Sequence, residues 1–297
     1  MFYRIFSIQP DIFSSFWNNS LIARGLSKNI ISYEMLNWRD KYGVGSYKQI
    51  DDKPFGGGAG MVLQPEPIYN ALKDVAGISS LFKPALEAQN HFKLEPNNSQ
   101  FWNLWKALKT VNPIKKATIS LTPRGFPITQ QVVEWLAANF DELNILCGRY
   151  EGFDARVSEI VDLELSIGNF VTNGGEAPAM SLIEGISRLL PDFVTKNNTV
   201  LHDSFSSKLN FYPEQNEFVI GKNKLGQANL KKTELDDIFG SIVEPNLFND
   251  GWWKSNILPF IEHPQYSRPE IWHNLQVPQV LTTGDHKKIQ QYRMKWY

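Results

Sequence analysis

The sequence predicts an α/β fold on a mainly parallel sheet running through about residue 193. Three observations carry that expectation. Short apolar runs of strand character alternate with segments of helical periodicity, the pattern of βαβ units. Three loops that look functional follow the strand-like runs ending at Thr122, Cys147 and Ile167, where open parallel sheets hold their ligands. The chain is 297 residues long, 42% apolar and 21% charged, which suits a packed globule of one large or two ordinary domains.

Phe2 to Ile8 (FYRIFSI) reads as a first buried strand closed by Pro10, with helical pattern following toward Leu26. NIISYEML reads as a second strand, and Tyr42 to Gly60 as a long loop rich in Gly, Asp and Lys. Pro65 and Pro67 suit the first turn of a helix running to about Val75. The 77–116 segment looks added, with one helix over 100–111 carrying Phe101, Leu104, Trp105, Leu108 and Val111 on one face. ATISLT, LNILC and Val161 to Ile167 read as strands, and Thr129 to Asn139 as a helix. Ala179, Leu182, Ile183, Ile186 and Leu190 make the apolar face of a helix that stops before Pro191. Polar residues from Lys196 to Thr199 suit a linker, Asn210 to Gly240 reads as a flexible excursion, and GDHKKIQQYRMKWY as a short basic helix.

A net charge of -1 argues against binding nucleic acid by bulk charge but not against local patches. The single cysteine, Cys147, excludes an internal disulfide framework and a cysteine-rich zinc site, and is compatible with a reducing, cytoplasmic setting. The segment MFYRIFSIQPDIF is too short and polar for a secretory signal, and without a run of 18 apolar residues no membrane span is expected.

Three segments carry the chemistry. SIGNFVTNGGEAPAM, Ser166 to Met180, leaves a strand, passes through glycine-rich backbone and opens a helix. Glycine lets bare amides and carbonyls come close to a ligand there. GGGAGM has the look of a phosphate cradle, but Met61 and Val62 stand where a P-loop needs Lys and then Ser or Thr, so a polar substrate loop is the better reading. CGRYEGFDARV sets Arg149, Glu151, Asp154 and Arg156 around two glycines just after a strand; a surface turn with weak mutual ion pairs is the plain alternative. Cys147 reads as a small core residue, since no partner histidine is indicated nearby.

Taken together, FSIQPDIF, DDKPFGGGAGM, SLTPRGFPITQ, ILCGRYEGFDARV, LSIGNFVTNGGEAPAMSLIEGISRLLP, HDSF and PQYSRPEIW with VPQVLTTGDHKKIQQYR occur in an order and spacing that resembles the bacterial tRNA (guanine-37-N1)-methyltransferase family over nearly the whole chain. The resemblance implies a SPOUT-type α/β domain over 1–195 with a deep trefoil knot, a rare exception to ordinary chain topology. It implies a linker over 196–206 carrying Asp203, then a smaller, mainly helical tRNA-binding domain over 207–297. The implied cofactor is S-adenosylmethionine, held by Leu121, Thr122, Gly148, Tyr150, Glu151, Ile167, Gly168, Asn169, Phe170, Val171, Thr172, Gly174, Gly175 and Pro178. Magnesium dependence is a further family trait, with Glu151 a candidate contributor.

By the same resemblance Asp203 in HDSF is the general base that takes the N1 proton of guanine, and Arg188 in GISRLLP holds O6 as negative charge develops. Their plain alternatives are a helix cap and a partner of a helix C-terminal dipole. The family is homodimeric with a site shared across the interface and tRNA as substrate. A related methyltransferase with a shifted RNA target is a second reading; a non-catalytic RNA-binding relative is a third, which the presence of Asp203 and Arg188 opposes. The chain departs from the family at Asn169, Asn173 and Ala177, where Asp, Ser and Leu are usual. Its 77–116 and 207–255 segments are longer than usual, and relatives are expected to continue past Tyr297. The basic residues Lys287, Lys288, Arg293 and Lys295 are candidate phosphate contacts or a solvated helix face.

Overall fold

The computed structural model describes residues 1–76, 115–194 and 263–294, and the backbone of 209–212 and 217–220. The expected helix over 100–111, Lys295, and the linker with Asp203 lie outside the described residues.

The expected parallel sheet is present. β1 (Phe2–Phe6), β2 (Ser32–Leu36), β5 (Lys116–Pro127), β6 (Glu142–Cys147) and β7 (Leu163–Ser166) form one sheet in the order β2-β1-β6-β5-β7. Every neighbouring pair in it is parallel. Period-2 alternation feeds two cores, one on each face. Tyr3, Ile5, Leu143, Ile145 and Cys147 face a cluster with α2 (Ser20–Ser27), α5 (Gln130–Asn139) and α6 (Glu176–Leu189). Phe6 and Leu146 face the opposite cluster, built with Trp38, Ile50, Leu63, Ile68 and Leu72 around α3 (Trp38–Tyr42) and α4 (Pro65–Ala76).

The early helical pattern is divided. A 3-10 turn (Pro10–Phe13) runs into α1 (Ser14–Trp17), and α2 follows separately. The long loop expected from Tyr42 to Gly60 contains β3 (Asp51–Asp52), paired antiparallel with β4 (Val62–Leu63). α5 starts where Thr129 accepts a bond from the Val132 amide, which satisfies one of the open donors of its first turn. α6 buries Ala179, Leu182, Ile183 and Ile186 at helical spacing and ends one residue before Leu190.

Beyond 206 the described residues are less helical than expected. β8 (Leu209–Tyr212) and β9 (Glu217–Ile220) pair antiparallel at the start of the 210–240 stretch read as a flexible excursion. A second antiparallel pair, β10 (Ile271–Trp272) with β11 (Leu275–Gln276), is followed by α7 (His286–Arg293). These strands are too short for a period-2 pattern to register in sequence. The C-terminal segment packs directly on the sheet domain. The Phe55 amide donates to the Tyr266 carbonyl at 2.7 Å, and Trp272 Nε1 donates to Glu66 Oε2 at 2.6 Å. Tyr266, Val277, Leu281 and Ile289 bury together against Phe55 and Ala155.

Candidate active site

A bulge in β5 and the loops that follow β6 and β7 come together at one edge of the sheet, and a cleft opens among them. The space among the loops measures about 820 Å³ with the adjoining open solvent included. The first loop is a bulge inside β5. Leu165 of β7 pairs with both Leu121 and Phe126, so residues 122–125 are pushed out of the ladder. Thr122, Pro123 and Arg124 line the cleft from there. Gly125 closes the bulge at a point where a Cβ would lie 2.5 Å from the Leu165 amide nitrogen, so only glycine fits.

The second loop, 148–153, turns through Tyr150 and Gly152, both in the left-handed region at φ 60° and 89°. Arg39 of α3 donates to the Tyr150 hydroxyl at 2.9 Å and helps hold this turn. The glycine-rich segment expected to be a substrate loop lies against it. The Glu151 amide donates to the Met61 carbonyl at 3.0 Å, and a side chain at Gly60 would run into the Glu151 carboxylate. Arg293 of α7 donates to the carbonyls of Gly56 and Gly57 from the other side.

The third loop, 167–175, ends where Gly175 packs on the end of β6; a Cβ there would sit 2.7 Å from the Cys147 Cα. Glu176 opens α6 and is buried, accepting a 2.7 Å bond from the Ser7 hydroxyl. A carboxylate at this helix N-terminus is also favoured by the helix dipole. Arg149 Nε lies 3.0 Å from Glu176 Oε2, yet the two are misaligned for a hydrogen bond, so the contact is chiefly ionic. Arg149 thereby ties the second loop to the third, reinforced by its bridge to Gly174. Burial, with Glu176 adding to it, pushes the Cys147 thiol well above its ordinary pKa. That agrees with Cys147 as a core residue rather than a nucleophile.

The structure brings Leu121, Thr122, Gly148, Tyr150, Glu151, Ile167, Phe170, Val171, Thr172, Gly174, Gly175 and Pro178 to the wall of this one cleft. Gly168 and Asn169 belong to the third loop but are not on the wall. Of the expected departures, Asn173 is on the wall and Asn169 is not. Arg188 is in the last turn of α6 and lines a separate cavity with Ser15, Phe16, Ser20 and Glu184. Within one chain it is not part of the cleft wall.

Sequence reasoning missed several lining residues. Arg124, Arg149, His263 and Gln265 are among them. Arg149 stood in a segment already singled out, but His263 and Gln265 reach the cleft only because the C-terminal segment folds back over it. Burial and the Arg293 charge both lower the His263 pKa, which keeps the imidazole neutral near pH 7. No group of three or more His, Cys, Asp or Glu side chains that would hold a metal occurs among the described residues. No helix among them is long and apolar enough to cross a membrane.

A cleft of backbone loops at the carboxyl end of a parallel sheet is a ligand site by its position. Comparison with known proteins identifies the lineage. The family model described as tRNA (Guanine-1)-methyltransferase TrmD matches residues 1–86, 100–223 and 237–296. A tRNA (guanine-N(1)-)-methyltransferase of Prochlorococcus marinus is 31% identical over 291 residues, covering 97% of this chain and 82% of that protein. One of Latilactobacillus sakei is 29% identical, covering 98% of this chain and 83% of that protein. A crystal structure of tRNA (m1G37) methyltransferase from Aquifex aeolicus aligns with a TM-score of 0.48 and 23% identity, over 99% of this chain and 88% of that one. With the family model spanning most of its length and a 31% identical relative aligned over nearly all of it, this chain belongs to the tRNA (guanine-1)-methyltransferase family.

Proposed function

We propose that this protein transfers the methyl group of S-adenosylmethionine to N1 of guanosine 37 in tRNA, next to the anticodon. The observation that carries the reading is the single cleft where three loops meet, lined by nearly all the residues the family resemblance marks for the cofactor. Its wall suits that molecule. Leu121, Ile167, Val171 and Pro178 offer apolar surface to an adenosine, and the glycine-rich turns offer backbone donors and acceptors. When bound, S-adenosylmethionine supplies an electrophilic methyl group on a cationic sulfur.

The rest of the chemistry falls to the protein. N1 of guanine carries a proton and is a poor nucleophile until that proton leaves. Asp203 removes it, and Arg188 holds O6 while negative charge builds on the ring. Arg188 lines a cavity apart from the cleft. We therefore read the working enzyme as a homodimer in which Asp203 and Arg188 of one copy serve the cofactor cleft of the other. The trefoil-knotted domain over 1–195, the linker over 196–206 and a tRNA-binding domain over 207–297 belong to the same reading, as does a cytoplasmic site of action. Magnesium dependence belongs to the same reading, with Glu151 on the cleft wall as its candidate carboxylate.

The test is methyl transfer to matched tRNA transcripts with guanosine or adenosine at position 37, the product mapped by mass spectrometry. Only the guanosine transcript is expected to gain N1-methylguanosine; equal labelling of both would sink the assignment. In the same assay Asp203→Asn is expected to lower kcat at least about 100-fold, the range of general-base contributions, with cofactor affinity unchanged. Full activity in that variant would remove Asp203 as the base.

A further inference from the structure

The loop after β6 is followed by a 3-10 helix, Ala155–Glu159, whose N-cap Asp154 forms with Arg156 a buried ion pair that the proposed reaction leaves without a role. Asp154 is fully buried and Arg156 nearly so. Asp154 Oδ1 accepts from the Arg156 amide at 3.0 Å and from Arg156 Nε at 2.8 Å. Asp154 Oδ2 accepts from Arg156 Nη2 at 2.8 Å, from the Ser267 amide at 2.5 Å and from the Ser267 hydroxyl at 2.9 Å. Arg156 in turn donates to the Ser267 carbonyl at 2.7 Å and the Pro269 carbonyl at 2.8 Å. Every one of these bonds beyond the pair itself goes to the C-terminal segment, more than a hundred residues away in sequence.

The segment so held forms one wall of the cleft. His263 and Gln265 line it, and the Gln265 carbonyl accepts from the Ala155 amide at 2.7 Å, between the two charged residues. A planar, always-charged guanidinium suits this work, because it offers fixed donors to a carboxylate and to two carbonyls at once.

We propose that Asp154 and Arg156 are positioning residues that couple the C-terminal segment to the cofactor loops, setting the His263–Ser267 wall so that the tRNA end of the site meets the methyl donor. Neither residue of the pair lines the cleft. The pair acts through Ser267 and Gln265, and so governs productive tRNA binding and turnover more than cofactor binding. This rests on the reading of the cleft as the methyl-donor site.

The test uses the full chain and Arg156→Lys, which keeps the charge but cannot reach Asp154 and both carbonyls together. Three quantities are measured on parent and variant: S-adenosylhomocysteine affinity by calorimetry, kcat and KM for a tRNA transcript, and amide hydrogen exchange. Cofactor-product affinity is expected to change less than about 3-fold while kcat/KM for tRNA falls at least about 10-fold, close to 1.4 kcal/mol by the conversion of rate ratios. Exchange should quicken in the peptide spanning 263–277 and stay unchanged in β1 and β6. If Arg156→Lys does not fold, Ser267→Ala replaces it, losing only the hydroxyl donor, with a fall of about 3-fold in kcat/KM expected. A variant with parental kcat/KM and parental exchange over 263–277, or one whose cofactor-product affinity falls as far as its kcat/KM, overturns the proposal. A parent protein that binds no S-adenosylhomocysteine overturns the functional reading instead, and the exchange experiment then still decides whether the pair holds the segment.

Discussion

Cys147 shows how far burial can set the behaviour of a residue. It ends β6 with no exposed surface and meets the turn into α6, where Gly175 leaves no room for a side chain. Burial first, and the nearby Glu176 carboxylate second, keep the thiol protonated well above its ordinary value of 9.0. Thiol chemistry requires the thiolate, so a native sample at pH 8 is expected to resist an alkylating reagent that labels the urea-unfolded chain within minutes. Fast labelling of the native protein would contradict the burial. The sign of the pH effect follows from linkage. The folded pKa lies above the unfolded one, so this contribution is complete below the unfolded value and is lost as pH rises from there toward the folded value. Above pH 9 the parent should therefore lose up to about 1.4 kcal/mol per pH unit from this group, a slope that Cys147→Ala removes. Denaturant titrations at pH 8 and pH 10 measure the difference.

Among the elements, the bulge in β5 links fold to site most directly. Its four residues turn an ordinary strand end into one wall of the cleft, and Gly125 lets it lie flat on β7. Gly125→Ala presses a methyl group onto the Leu165 amide, a backbone contact that no side-chain rotation relieves. Overpacking of that kind costs about 1–3 kcal/mol, near 2 °C in melting temperature for each kcal/mol in a chain of this size. The same variant should weaken cofactor binding, because Thr122 and Arg124 ride on the bulge. Parental melting temperature and affinity would show that the close contact does not constrain the loop. The bulge also marks where sequence reasoning stops. The strands around it were legible because their apolar residues alternate, and the helices because theirs recur every three or four positions. Register shift depends on the partner strand, and no pattern within ATISLTPRGFP encodes it. The Asp154–Arg156 pair has the same history. Read alone it is a surface turn; in the fold its guanidinium is held by the Ser267 and Pro269 carbonyls, which arrive from the far end of the chain.

At the scale of the whole molecule, a net charge of -1 means that tRNA must be drawn by local cations rather than by the overall field. The basic residues of α7 are the obvious reserve, and the structure divides them into two kinds. Lys287 and Lys288 are exposed, Lys288 leaning 3.4 Å from the capping Asp285. Arg293 instead points inward and holds the carbonyls of Gly56 and Gly57, so its charge supports the loop packed on Glu151. The two kinds should respond differently when tRNA affinity is measured against salt. Each phosphate contact contributes about one unit to the slope of log affinity against log salt concentration. Replacing Lys287 and Lys288 together by alanine is expected to weaken tRNA binding at low salt and to flatten that slope by about two, with kcat little changed. Arg293→Ala is expected to leave the slope near the parental value and to lower kcat, because the glycine-rich loop loses its hold beside the cleft. Equal slopes in the parent and the double variant would make the outer face of α7 a solvated surface, and would move the tRNA contact to cations elsewhere in the chain.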